Sequence, residues 1–127
     1  MKNVLTLCII LLVGISCKSK VTNPETQLTF KDVDVAGAKK MIADNSDLVI
    51  LDVRTPEETA KGMLPNAIEI DFYGDDFEDK ISKLDKNKSY LVYCRSGGRS
   101  VSASNKMIEK GFTDITNMLG GYNAWSE

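Results

Sequence analysis

The sequence predicts an α/β fold: one domain, with a mostly parallel five-stranded sheet flanked by helices on both faces. Three observations lead there. Strand and helix patterns alternate from about Leu28 to the end of the chain. The stretch "LVILDV" (48–53) is an apolar run broken only by Asp52, as a parallel strand buried on both faces would be. The chain has 127 residues, 43% hydrophobic and 27% charged, which suits one globular domain and not two.

The elements follow in order. "LTF" (28–30) is a short candidate edge strand. In "DVAGAKKMIADN" (34–45), Asp34 is a plausible N-cap, and Val35, Ala38, Met41 and Ile42 share one helical face. After the strand at 48–53, "PEETAKG" (56–62) suits a short helix, with Pro56 in its first turn and Gly62 past its end. "AIEID" (67–71) is a third strand. In "DDFEDKISKLDKN" (75–87), Phe77, Ile81 and Leu84 are spaced four and three apart, the mark of an amphipathic helix. "YLVY" (90–93) is the fourth strand. "RSVSASNKMIEKG" (99–111) is a helix closed by Gly111. "DITNML" (114–119) is the last strand, and "GGYNAW" (120–125) ends the fold, with Trp125 expected in the core.

Charge and composition exclude some functions. The net charge is -2 and there is no basic stripe, so nothing favours a nucleic-acid partner. Histidine is absent, which removes the usual general base and the commonest metal ligand. No metal and no cofactor are expected.

Residues 1–16 read as a signal peptide. A short basic start, "MKN", precedes the apolar run "VLTLCIILLVGIS", which is short for a membrane-spanning helix and is followed at once by Lys18 and Lys20. The run ends in Cys17. "VGISC" resembles the lipobox of bacterial lipoproteins, with Gly14 where a larger aliphatic residue is more usual. That resemblance implies cleavage before Cys17 and its lipidation; plain secretion is the alternative. Residues 17–27 would then be a lipidated N-terminus and polar tether, and 28–127 the folded domain. The implied location is exported: periplasm or cell envelope, with the lipid as the only membrane contact.

Processing leaves Cys94 as the one free thiol of the three cysteines. An unpaired cysteine in an exported protein is a candidate reactive thiol; the bland alternative is a small buried hydrophobe. Position favours the first, because ligands of parallel α/β sheets bind beyond the carboxyl ends of strands. Cys94 ends a strand and precedes a helix in "CRSGGRS". A helix N-terminus and nearby cations, here Arg95 and Arg99, lower a thiol pKa. Gly97 and Gly98 free the backbone so that successive N–H groups can form an anion cradle.

Loop length narrows the chemistry. Protein tyrosine phosphatases hold phosphate with a cysteine, five residues and an arginine. Here four residues separate Cys94 from Arg99, and Ser100 stands at the phosphatase arginine position. "CRSGGRS" instead resembles the active-site loop of single-domain rhodanese-like sulfurtransferases. "DVRTPEETAKGMLPNA" (52–67) and "GGYNAW" resemble two further signatures of that family, in the right order. Met63 and Thr59 depart from its usual histidine and aromatic residue.

The resemblance implies a thiosulfate sulfurtransferase of rhodanese type. The Cys94 thiolate takes the outer sulfur of a small anionic donor such as thiosulfate, forming a persulfide, and passes it to a thiol or cyanide acceptor. Arg95 is expected to face solvent and attract anions. Ser96 and Ser100 offer hydroxyls. Arg99 closes the loop and pairs with an acid; Asp52 and Glu58 are the candidates, set beside Arg54 as loop-bracing residues, with helix capping or solvated charge as the plainer alternative. Two other classes stay open: a non-enzymatic sulfur-carrier or partner-binding module, and, with less support, a phosphatase or arsenate reductase, the latter lacking a second cysteine.

Overall fold

The computed structural model describes residues 29–127. The expected signal peptide, Cys17, the tether and Leu28 of the first strand candidate lie outside the described residues.

The elements run β1 (Lys31–Val33), α1 (Val35–Asp44), β2 (Val49–Asp52), α2 (Pro56–Thr59), β3 (Ile68–Glu69), α3 (Phe77–Ser82), β4 (Ser89–Tyr93), α4 (Gly98–Glu109), β5 (Asp114–Met118) and α5 (Gly121–Trp125). The five strands form one sheet in the order β1-β5-β4-β2-β3. All four pairings are parallel, so the sheet is wholly rather than mostly parallel. β4 is its central strand.

Side chains of the central strands alternate between the two faces, as a pleated strand requires. Tyr90 and Val92 of β4, with Leu51 of β2, pack on one face against Phe77 and Ile81 of α3 and Ala103 and Met107 of α4. Leu91 and Tyr93, with Ile50, pack on the other against α1 and α5. Leu51, Leu91 and Val92 are fully buried. A strand covered on both faces has no polar side to present, which is why β2 is apolar up to Asp52 at its end.

The edges differ from the sequence expectation. β1 starts at Lys31, after residues 29 and 30 of the expected strand, because Lys31 is the first residue in register with β5, opposite Thr116. Phe30 packs against the core without joining a ladder. β3 keeps only two residues of the expected 67–71, and both are exposed. Each of these strands has one neighbour, so short pairing suffices. The Asp34 side chain accepts from the Gly37 N–H at 2.8 Å and caps α1 as its sequence suggests.

"GGYNAW" forms α5, a five-residue helix that its composition does not announce. Trp125 packs half-buried against the α1 side of the core. The carboxyl ends of β2, β4 and β5 converge at one end of the sheet, where β4 hands the chain to Cys94.

Candidate active site

Cys94 follows the last residue of β4 and is 1% exposed. Its sulfur therefore has little water around it, and its charge state depends on protein donors. The Gly97 N–H points at Sγ from 3.0 Å. Gly97 is the N-cap of α4 and has φ +122°, a value L side chains rarely adopt. Gly98 begins α4 without that need. Of the two glycines, only Gly97 uses its conformational freedom. The sulfur thus lies at the positive end of a twelve-residue helix.

Ser100 completes the cradle. Its Oγ is buried, 3.5 Å from Sγ, and donates to the Gly97 carbonyl at 3.0 Å. In the neutral thiol Sγ donates to that Oγ; on ionisation the hydroxyl can turn and donate to sulfur. Burial pushes the Cys94 pKa up, but the Ser100 hydroxyl and the N–H groups of Ser100, Gly97 and Ser96 outweigh it. The net result lies below the ordinary thiol value.

Arg99 does not reach into the cradle. Its guanidinium forks onto Glu58, Nη1 to Oε2 at 2.6 Å and Nη2 to Oε1 at 2.7 Å. Thr55 adds its N–H and hydroxyl to Oε2. Led by the Arg99 hydrogen bond, and against the cost of burial, these contacts hold the Glu58 carboxyl at about 2. The pair ties the loop and the first turn of α4 to α2.

Asp52, the other acid considered for Arg99, does not meet it. It ends β2 in register with Tyr93 of β4. There it accepts from Nε and Nη2 of Arg54 and from the Tyr93 hydroxyl. Arg54 also donates to the Gly62 carbonyl at 2.7 Å. Both Asp52 and Arg54 are buried. They tie the carboxyl ends of β2 and β4 together through the Tyr93 hydroxyl.

A second clamp comes from α5, which sequence reasoning left without a role. The Tyr122 N–H donates to the Cys94 carbonyl at 2.8 Å and the Asn123 N–H to the Arg95 carbonyl at 3.0 Å. Gly121 makes this approach possible: a Cβ there would sit 2.4 Å from the Cys94 carbonyl oxygen, well inside contact distance. The Tyr122 ring lies 4.1 Å from the Arg54 guanidinium carbon, so this clamp rests on the buried Asp52–Arg54 pair.

Cys94 opens on a cleft of about 420 Å³ walled by Phe72, Tyr73, Ser96 and Arg99. Tyr73 is 67% exposed and lies under the Arg99 guanidinium at 5.5 Å. Neither aromatic carries a sequence signal, because the β3–α3 connection reaches the sulfur only through the fold. Arg95 is exposed and lines a neighbouring pocket instead of this cleft. Thr59, one of the two departures from the sulfurtransferase signature, is buried and donates to Glu69 Oε2 at 2.7 Å.

Residues 34–127 match the family model described as Rhodanese-like domain. A sulfurtransferase from Allochromatium vinosum is 32% identical over 95 residues, covering 75% of this chain and 87% of that protein. The putative sulfurtransferase YtwF of Bacillus subtilis is 38% identical over 98 residues, covering 77% and 92%. Among solved structures, a rhodanese-like domain protein from Staphylococcus aureus superposes with TM-score 0.68 at 33% identity, covering 76% of this chain and 91% of that one.

Two pH experiments test this geometry. Alkylation of Cys94 by iodoacetamide should rise with pH around a midpoint below 9.0. Ser100→Ala should move that midpoint upward, and a midpoint left in place would remove Ser100 from the cradle. Glu58 has a folded pKa depressed from 4.5 to about 2, so its stabilisation is present above pH 4.5 and lost as pH falls toward 2. Urea unfolding should show Glu58→Gln less stable than the native chain at pH 7, with the gap closing across that window.

Proposed function

The chain belongs to the rhodanese-like domain family, and from that premise we propose that it moves sulfane sulfur through a persulfide on Cys94. At family level it is a rhodanese-type sulfurtransferase. The finer reading is a thiosulfate sulfurtransferase with a thiol or cyanide as acceptor. The observation that carries it is a nearly waterless sulfur surrounded by hydrogen-bond donors, lining a cleft that admits a small anion.

The chemistry balances without an added proton donor. The Cys94 thiolate attacks the outer sulfur of thiosulfate, an S–S bond forms to Cys94, and the S–S bond of the donor breaks. Sulfite leaves with the electron pair, already an anion. The thiolate of the acceptor then attacks the outer sulfur of the persulfide, and Cys94 leaves as thiolate in the same cradle. The acceptor's own proton goes to solvent. This is nucleophilic catalysis by an activated cysteine, and histidine has no required part in it. The N–H groups of Ser96, Gly97 and Ser100 serve the thiolate and the persulfide alike.

The structure also bears on the phosphatase alternative. A phosphate-binding arginine presents a planar fork to its ligand. Both Nη atoms of Arg99 are taken by Glu58, which leaves its charge near the cleft but not its fork. That argues against a phosphoryl substrate. Cys94 is the one free cysteine among the described residues, so sulfur has to leave to an outside acceptor.

The export reading rests on sequence. We propose that Cys17 is lipidated after cleavage, placing the domain at the cell envelope on a short tether. Radiolabelled palmitate should enter the native chain and not Cys17→Ser; equal labelling of both would sink the anchor.

Incubation with thiosulfate and cyanide should yield thiocyanate, and Cys94→Ser should reduce it to background. Thiocyanate production that survives Cys94→Ser would overturn the mechanism. A stable gain of one sulfur atom by intact mass, with no turnover, would instead favour the carrier role.

A further inference from the structure

Building on the sulfurtransferase reading, we propose that the pocket formed by Arg54, Lys61, Arg95, Tyr122 and Asn123 binds a carboxylate of the thiol that takes sulfur from Cys94.

The pocket encloses about 250 Å³ and lies beside the cleft that holds the sulfur. The Arg99–Glu58 pair is the partition, with Arg99 lining the cleft and Glu58 lining the pocket. Cys94 does not line the pocket, so the pocket cannot hold the reacting atom. It can only hold a part of a substrate that does not react. Binding energy gathered there would position the reacting end.

The lining is made for an anion. Arg54 is 2% exposed, and its hydrogen bonds to Asp52 and Gly62 use the backbone N–H, Nε and Nη2. Nη1 makes none among the described residues, although Arg54 lines the pocket. A buried guanidinium with a spare nitrogen is a donor held in place before any ligand arrives. Lys61 and Arg95 have no carboxylate within 4.0 Å among the described residues. The one acid in the wall, Glu58, has both oxygens occupied by Arg99 and Thr55 and is held ionised by them. Its charge is already matched. Around the pocket the charges of Lys61 and Arg95 therefore stand unbalanced.

Size selects the ligand class. The volume is below the roughly 300–1,000 Å³ of sites for larger organic ligands. It suits one or two carboxylates and a short stem, not a nucleotide or a sugar. A small thiol with an acidic group a few bonds from sulfur could place the acid here and the thiol over the partition at Cys94. Neutral or cationic thiols would lack the anchor.

The test begins by loading Cys94 from thiosulfate and confirming one added sulfur by intact mass. The loaded chain is then discharged with mercaptosuccinate or with 2-mercaptoethanol at matched thiolate concentration. Half-saturation should come at a roughly five-fold lower concentration for mercaptosuccinate, the scale of one added charge contact. Lys61→Gln should remove most of that advantage without changing discharge by 2-mercaptoethanol, and Lys61→Arg should keep it. Equal half-saturation for the two thiols, or an advantage untouched by Lys61→Gln, overturns the proposal. If Cys94 takes up no sulfur, the transfer reading fails and succinate decides the pocket alone. Amide shifts at Arg95 and Asn123 on succinate titration, lost in Lys61→Gln, would support it; no shifts would overturn it.

Discussion

A sulfur that is to carry negative charge away from water must find donors in the protein, and that requirement organises the structure around Cys94. At 1% exposure the thiolate cannot rely on solvent. The fold meets the need by ending the central strand just before the cysteine and starting a helix four residues after it. Free N–H groups at a helix start have no partners within the helix. Here the sulfur takes their place as acceptor. Gly97 bends the chain so that its own N–H reaches Sγ, and Ser100 adds a hydroxyl that can serve either the thiol or the thiolate.

A donor cradle works only if its geometry holds, and two sets of contacts from distant parts of the chain hold it. Glu58 grips Arg99 from α2. The N–H groups of Tyr122 and Asn123 grip the carbonyls of Cys94 and Arg95 from α5. The buried Asp52, Arg54 and Tyr93 network supports the second set, because Arg54 packs on Tyr122 and Tyr93 is covalently next to Cys94. Burial costs the charges of Asp52 and Arg54 their hydration, and their mutual fork offsets it. The same network leaves Nη1 of Arg54 without a hydrogen bond among the described residues, so a structural support doubles as part of the proposed anion pocket.

The legible features were those written in local chemistry. The apolar runs at 48–53 and 90–93 marked buried parallel strands, because burial on both faces removes the alternating pattern. Asp34 marked a helix start through its side-chain cap. Cys94 in "CRSGGRS" marked a loop between strand and helix. The misread features depended on partners. Residues 29 and 30 looked like part of a strand, but pairing is set by the register of β5. Asp52 and Glu58 were equivalent candidates for Arg99; only the placement of α2 and the register of β2 with β4 separates them. Tyr73 and Phe72 reach the cleft through a connection whose path no local pattern encodes.

By itself, then, the sequence determined the α/β class, the order of elements and the thiol at the carboxyl end of a strand, because periodicity and turn chemistry act over a few residues. Tertiary structure alone decided which acid holds Arg99, which glycine bends the loop, and that α5 clamps Cys94 while Arg95 turns toward a separate pocket. The glycine apart, each of those outcomes joins residues tens of positions apart, and such joins are fixed by sheet order and packing, which short-range patterns do not specify.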